Sequence, residues 1–205
     1  MAWLTWLVFG TVIVLLLVQL FSKRGYTYHF KSEEVRAVPK DQLAFVPPSL
    51  PYTIHEYPHL LSKQECRELR DLVLTDTTKD QVVSVHVPWI ETMVSQLTNQ
   101  PVEHMEPLEI HRVTKGGSVP RVDANENTYS QTRIATVVFY LNEEYMGGGL
   151  VFPDVNRTIV PTAGKAVLYW NMASNHVLKE SLHRDKFVLR GVQWKAIQYV
   201  HNTSL

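Results

Sequence analysis

An α+β domain, with helices in front and short strands behind, is the fold class this sequence predicts, and three observations carry it. A helix-opening signature stands at Ser62-Lys-Gln-Glu65, and apolar residues recur at helical spacing after it and again after Pro88. Beyond Glu106 the pattern changes to short runs rich in β-branched and aromatic residues, separated by Gly, Asn, Asp or Pro. Helices followed by strands point to an α+β domain with a β-sandwich or barrel core. Ahead of the domain, Trp3 to Phe21 is apolar and uncharged. At about 1.5 Å per residue such a run crosses roughly 30 Å of hydrocarbon as a single transmembrane helix.

Taken in order, residues 1–24 read as a membrane anchor. A cleaved signal peptide fits less well, because no Lys or Arg precedes the apolar run and no small-x-small cleavage site follows it. Lys23 and Arg24 favour a cytoplasmic domain by the positive-inside rule, whereas the acceptor tripeptides Asn156-Arg-Thr and Asn202-Thr-Ser matter only in the secretory lumen. Residues 25–51 are polar and contain Pro39, Pro47, Pro48 and Pro51, which reads as a stalk. The folded domain is expected over 52–205. In its first helix Ser62 and Glu65 satisfy each other's amides, Leu61 acts as a staple, and Cys66, Leu69, Leu72 and Val73 share a face. Cys66 is thereby a core thiol rather than a nucleophile. A second helix follows Pro88, with Ile90, Met93, Val94 and Leu97 on one side, and ends before Pro101. The strand candidates are PLEIHRV, RIATVVFYL, GLVF, RTIV, KAVLYWN and VQWKAIQYVH. In the last of these, Val192, Trp194, Ala196 and Val200 alternate with Gln193, Lys195, Ile197, Tyr199 and His201. Its mostly polar second face predicts a lined cavity.

Composition excludes several classes. Twenty basic residues balance twenty acidic ones at a formal net charge of +0, with no basic block, so no nucleic-acid partner is expected. One cysteine excludes an internal disulfide and a Cys-based zinc site.

RIATVVFYLNEEYMGGGLVFPD, then IVPTAGKAVLYWN, then SLHRDKFVLRGVQWKAIQYVH, resembles the catalytic domain of the prolyl 4-hydroxylase family of Fe(II)- and 2-oxoglutarate-dependent dioxygenases. The resemblance runs from about Tyr52 to His201. It implies a double-stranded β-helix (jelly-roll) core with N-terminal helices, Fe(II), 2-oxoglutarate and ascorbate as cofactors, and prolyl hydroxylation in a secretory compartment such as the endoplasmic reticulum. It places the metal carboxylate at Asp123 and the distal imidazole at His183. In SVPRVDAN the first imidazole position is Arg121, whose guanidinium has no lone pair for a metal and repels a dication. The family's cosubstrate-pairing Lys falls on Gln193, with Lys195 one pleat away as a substitute charge, and two further cosubstrate contacts fall on Arg112 and Leu150. Peptide-contacting positions correspond to Arg133, Tyr140, Tyr199 and His201, a set suited to an extended Pro-containing chain. Each of these four also has a plain structural reading, as ion-pair, core or strand-end residue.

Whether the chain is an enzyme divides three readings: an active hydroxylase with a non-standard site, a silent relative that binds Pro-containing polypeptide, and a structural membrane protein that kept only the fold. The incomplete triad favours the silent binder. With Arg121 and Asp123 two apart in a strand, their side chains would share a face and meet as an ion pair beside His183.

Overall fold

The computed structural model describes residues 54–73, 80–125, 132–173 and 176–204, all within the unit Arg36–Leu205, one of two into which the chain divides. The apolar run Trp3 to Phe21 and the stalk lie outside the described residues. Among the described residues no helix is long and apolar enough to cross a membrane.

Helix α1, Lys63–Asp71, begins as its capping box dictates: Glu65 N donates to Ser62 Oγ at 3.2 Å, and Ser62 N donates to Glu65 Oε2 at 2.6 Å. It buries Cys66 and Leu69, and burial pushes the free Cys66 thiol pKa up. Helix α2, Pro88–Thr98, starts on a proline, which lacks the amide hydrogen a first turn cannot use, and stops at left-handed Asn99. Its buried side includes Ile90, Met93, Val94 and Leu97.

The strands are β1 Ile54–Tyr57, β2 Gln81–Val85, β3 Leu108–Val113, β4 Arg133–Tyr140, β5 Tyr145–Gly147, β6 Leu150–Phe152, β7 Arg157–Ile159, β8 Ala166–Trp170, β9 Met172–Ala173, β10 His176–Val177, β11 Arg184–Asp185, β12 Val188–Gly191 and β13 Gln193–His201. A six-stranded antiparallel sheet runs β1-β8-β4-β13-β3-β2. Opposite it lies the smaller antiparallel sheet β11-β6-β7, with β12-β5 and β10-β9 as two-stranded pieces. The domain is mostly β with few helices, consistent with a jelly roll.

Strand alternation separates two cores. One face of the large sheet, with Ile110, Val137, Phe139, Leu168, Ala196 and Val200, packs on the two helices. The other, with Val138, Tyr140, Val167, Tyr169, Ile197 and Tyr199, packs on Leu150, Phe152 and Ile159 of the small sheet. The polar side chains of interest stand on this second face.

Arg121 and Asp123 depart from the expected strand. Arg121 forms a single antiparallel bridge with His183, each amide donating to the other's carbonyl at 2.9 and 3.0 Å. Asp123–Asn125 then turns as a 3-10 helix. Pro120 supplies no amide to extend a ladder, and Asp and Asn favour turns, so pairing ends after one residue.

Candidate functional site

Asp123 sits between the sheets, 1% exposed, with Thr136, Tyr169, Arg121 and His183 around its carboxylate. Thr136 of β4 donates to Oδ2 at 3.0 Å and Tyr169 of β8 donates to the same atom at 2.7 Å. Asn171 steadies Thr136 through a 2.9 Å bond to its hydroxyl. Arg121 Nε lies 3.3 Å from Oδ1, so the guanidinium meets the carboxylate although the intervening backbone is a turn.

His183 is wholly buried, packed against Tyr169 and Phe152. Its Nδ1 lies 2.8 Å from the Ser181 carbonyl, which can only accept; Nδ1 therefore holds the hydrogen and Nε2 the lone pair. That lone pair faces Asp123 Oδ1 at 3.5 Å, the oxygen Arg121 approaches, and Tyr169 Oη at 3.3 Å. Desolvation outweighs the Asp123 charge and lowers the His183 pKa, keeping the ring neutral. Burial also works against the charge on Arg121, but Asp123 and Asp185 more than offset it and raise its pKa.

Asp185 extends the chain of charges. Lys195 Nζ donates to its Oδ1 at 2.7 Å, and Arg121 Nη1 lies 3.5 Å from its Oδ2 and 2.7 Å from Ser118 Oγ. Burial opposes ionisation of Asp185, yet Lys195 and Arg121 hold its pKa below the usual carboxylate range. Two cations and two carboxylates thus alternate as Lys195, Asp185, Arg121, Asp123, and their formal charges cancel.

The positions expected to touch cosubstrate are differently placed. Gln193 donates its amide to Gly148 O at 2.7 Å and to Tyr145 Oη at 3.0 Å, which ties β13 to the glycine loop. Lys195 is committed to Asp185 and is not a spare charge for a distant carboxylate. Leu150 is packed in the core between the sheets. Arg112 does not reach the site: it is in register with Trp194 on the helix-facing side of β13, its guanidinium carbon 5.9 Å from that ring's centroid, and so points away from Asp123. His111, the next residue along β3, pairs with Lys195 across the strands and stands on the site face beside Glu109, at 2.9 Å.

The expected peptide-contacting set does not line an open groove. Tyr140 is 1% exposed, within the core between the sheets. Arg133 chelates Glu106 through Nε at 2.5 Å and Nη2 at 2.7 Å, and its guanidinium lies 3.5 Å from the Tyr199 ring centroid. His201 Nε2 is 2.6 Å from Glu106 Oε1, and Gln198 donates to the Glu106 carbonyl. The physical reason is centrality: β4 and β13 are interior strands covered on both faces, so their side chains satisfy one another. Sequence reading missed Glu106, Thr136, Tyr169, Asn171 and Asp185. Only Asp185, two residues after His183 in SLHRDK, offered a signal, as a second carboxylate beside the distal imidazole.

Fe(II), which the resemblance implies together with 2-oxoglutarate, does not fit the residues present. An iron site needs a carboxylate and two imidazoles with open positions. This chain offers Asp123 and His183 and sets a permanent cation against the carboxylate oxygen that His183 faces. Among the described residues no cluster of three His, Cys, Asp or Glu side chains could hold a metal ion. Because the four charged groups already cancel, a dication would enter with uncompensated charge at a buried point.

Residues 108–198 match the family model for the 2OG-Fe(II) oxygenase superfamily. The prolyl 4-hydroxylase subunit alpha-1 of Caenorhabditis elegans is 29% identical over 56% of this chain, and the chain spans about a fifth of that subunit's length, 22%. The probable prolyl 4-hydroxylase 10 of Arabidopsis thaliana is 25% identical, covering 70% of this chain and 67% of its own. Among solved structures, the viral collagen prolyl hydroxylase of Paramecium Bursaria Chlorella virus-1, crystallised as a 2OG complex, superposes with a TM-score of 0.63 at 19% identity. That likeness covers 75% of this chain and 97% of the viral one, and is a likeness of fold.

Proposed function

From the match to the 2OG-Fe(II) oxygenase superfamily model and the similarity to prolyl 4-hydroxylases, we propose that the chain is a silent member of that family that binds Pro-containing polypeptide without hydroxylating it. Its relatives use Fe(II) and 2-oxoglutarate, with ascorbate typical of prolyl hydroxylases. The observation that carries the proposal is Arg121 Nε 3.3 Å from Asp123, a tethered cation held where the family's first imidazole ligand would stand.

The polypeptide part rests on the relatives, which are named as prolyl hydroxylases, and on a surface beside the network. Phe187, Leu189 and Met146 are exposed by 65%, 74% and 57%, unusual for such large apolar groups. They surround Gly147, where a Cβ would fall 2.1 Å from the Phe187 carbonyl oxygen and 3.2 Å from the Leu189 side chain. An extended Pro-rich segment has little entropy left to lose and gains by covering such side chains. It would lie there, across the paired strands β5 and β12. The resemblance, the apolar run Trp3 to Phe21 and the two acceptor tripeptides favour an anchored protein of a secretory membrane with its domain in the lumen.

Two assays on the full chain in detergent test this reading. Supplied with Fe(II), ascorbate and a Pro-rich peptide, it is expected to form no succinate from 2-oxoglutarate. The same peptide is expected to bind, and Leu189→Glu to weaken it at least tenfold. Succinate formation would establish the active-enzyme reading, and absence of binding would leave the structural one.

A further inference from the structure

We infer that Asn156 is the site of N-linked glycan attachment in this chain and that Asn202, the other acceptor tripeptide, is not. The inference rests on the lumenal placement proposed above. Asn156 closes the 3-10 turn Pro153–Val155, its amide donating to Pro153 O at 3.1 Å, with φ 50° and ψ 41°. Asn tolerates this left-handed conformation better than most residues. Its side chain is exposed and makes no hydrogen bond among the described residues.

The rest of the tripeptide is arranged to suit an acceptor. Asn156, just before β7, and Thr158, within it, are both exposed. Arg157 between them points the other way, donating to Ile54 O and to Glu56 Oε1, each at 2.9 Å. The backbone is fixed while the two groups a transferase reads stand in solvent. Asn202 differs: its Oδ1 accepts from Thr132 N at 3.3 Å and its own amide donates to Thr132 O at 3.2 Å, closing the end of the β13–β4 pair. Asn202 is exposed too, but to enter a transferase site its carboxamide would first have to release Thr132.

The donor is a lipid-diphosphate-linked oligosaccharide, and a membrane transferase supplies the base. Asn156 Nδ2 bonds to C1 of the first sugar as the C1–O–phosphate bond breaks. The lipid diphosphate leaves with the electron pair, the amide gives up one proton to the base, and nothing is oxidised or reduced.

The test is expression of the full chain in eukaryotic microsomes with an extra acceptor tripeptide on a Gly/Ser tail after Leu205. The tail reports lumenal placement independently. The parent should show two endoglycosidase-sensitive mass steps, Ser204→Ala two, and Thr158→Ala only the tail's step. Thr158→Ala is preferred to Asn156→Gln because it leaves the left-handed turn intact. A modified tail with an unmodified Asn156, or loss of a step in Ser204→Ala, overturns the inference. An unmodified tail overturns the lumenal placement and the inference with it.

Discussion

Arg121 acts on this site through charge it cannot lose. Its guanidinium stays protonated at any ordinary pH, so Asp123 is neutralised permanently rather than when a metal arrives. Removing it would leave a 1%-exposed carboxylate uncompensated. Arg121→Ala is therefore expected to destabilise the fold by about 3–5 kcal/mol, read as a lower midpoint in urea, whereas Arg121→Lys should lose much less. Equal stability of the Ala variant would show that Asp123 does not depend on the guanidinium. A second residue-scale prediction concerns acid. Arg133 and His201 overcome the burial that would raise the Glu106 pKa and hold it below the usual value. The unfolded chain takes up that proton first, so this stability is present above about pH 4.3 and is lost as pH falls through the lower folded pKa. Denaturation midpoints from pH 6 to pH 3 should fall, and Glu106→Gln should flatten that slope.

Among the elements, those with a local physical cause were the ones legible in the sequence. The capping box of α1 is such a cause, and Ser62→Ala should cost about 1 kcal/mol in chemical denaturation while leaving the fold intact. Cost-free substitution would mean the cap carries no stability. The six strand candidates were visible through β-branched and aromatic runs, but β1, β2, β5 and β9–β12 were not. These are mostly short, and their pairing depends on partners distant in sequence, as with β12 on β5 across a bulge. The turn at Asp123 differs from the expected strand because alternation alone does not register the turn preference of Asp123 and Asn125. At the site, Asp123, His183 and Arg121 were legible because motif spacing marks them. Glu106, Thr136 and Tyr169 were not, since their role exists only after β4, β8 and β13 are laid side by side.

For the molecule as a whole, two cores lie on opposite faces of the large sheet. The helix-packed core holds the large sheet, while the polar side chains between the sheets neutralise one another without an added ion. Such a separation would let the fold persist without metal chemistry, as proposed above. The most direct measurement is the metal content of the purified full chain after incubation with excess Fe(II) under anaerobic conditions, beside Arg121→His combined with Gln193→Lys. The parent is expected to hold far less than one iron per chain and the double variant clearly more. Stoichiometric iron in the parent would contradict that expectation.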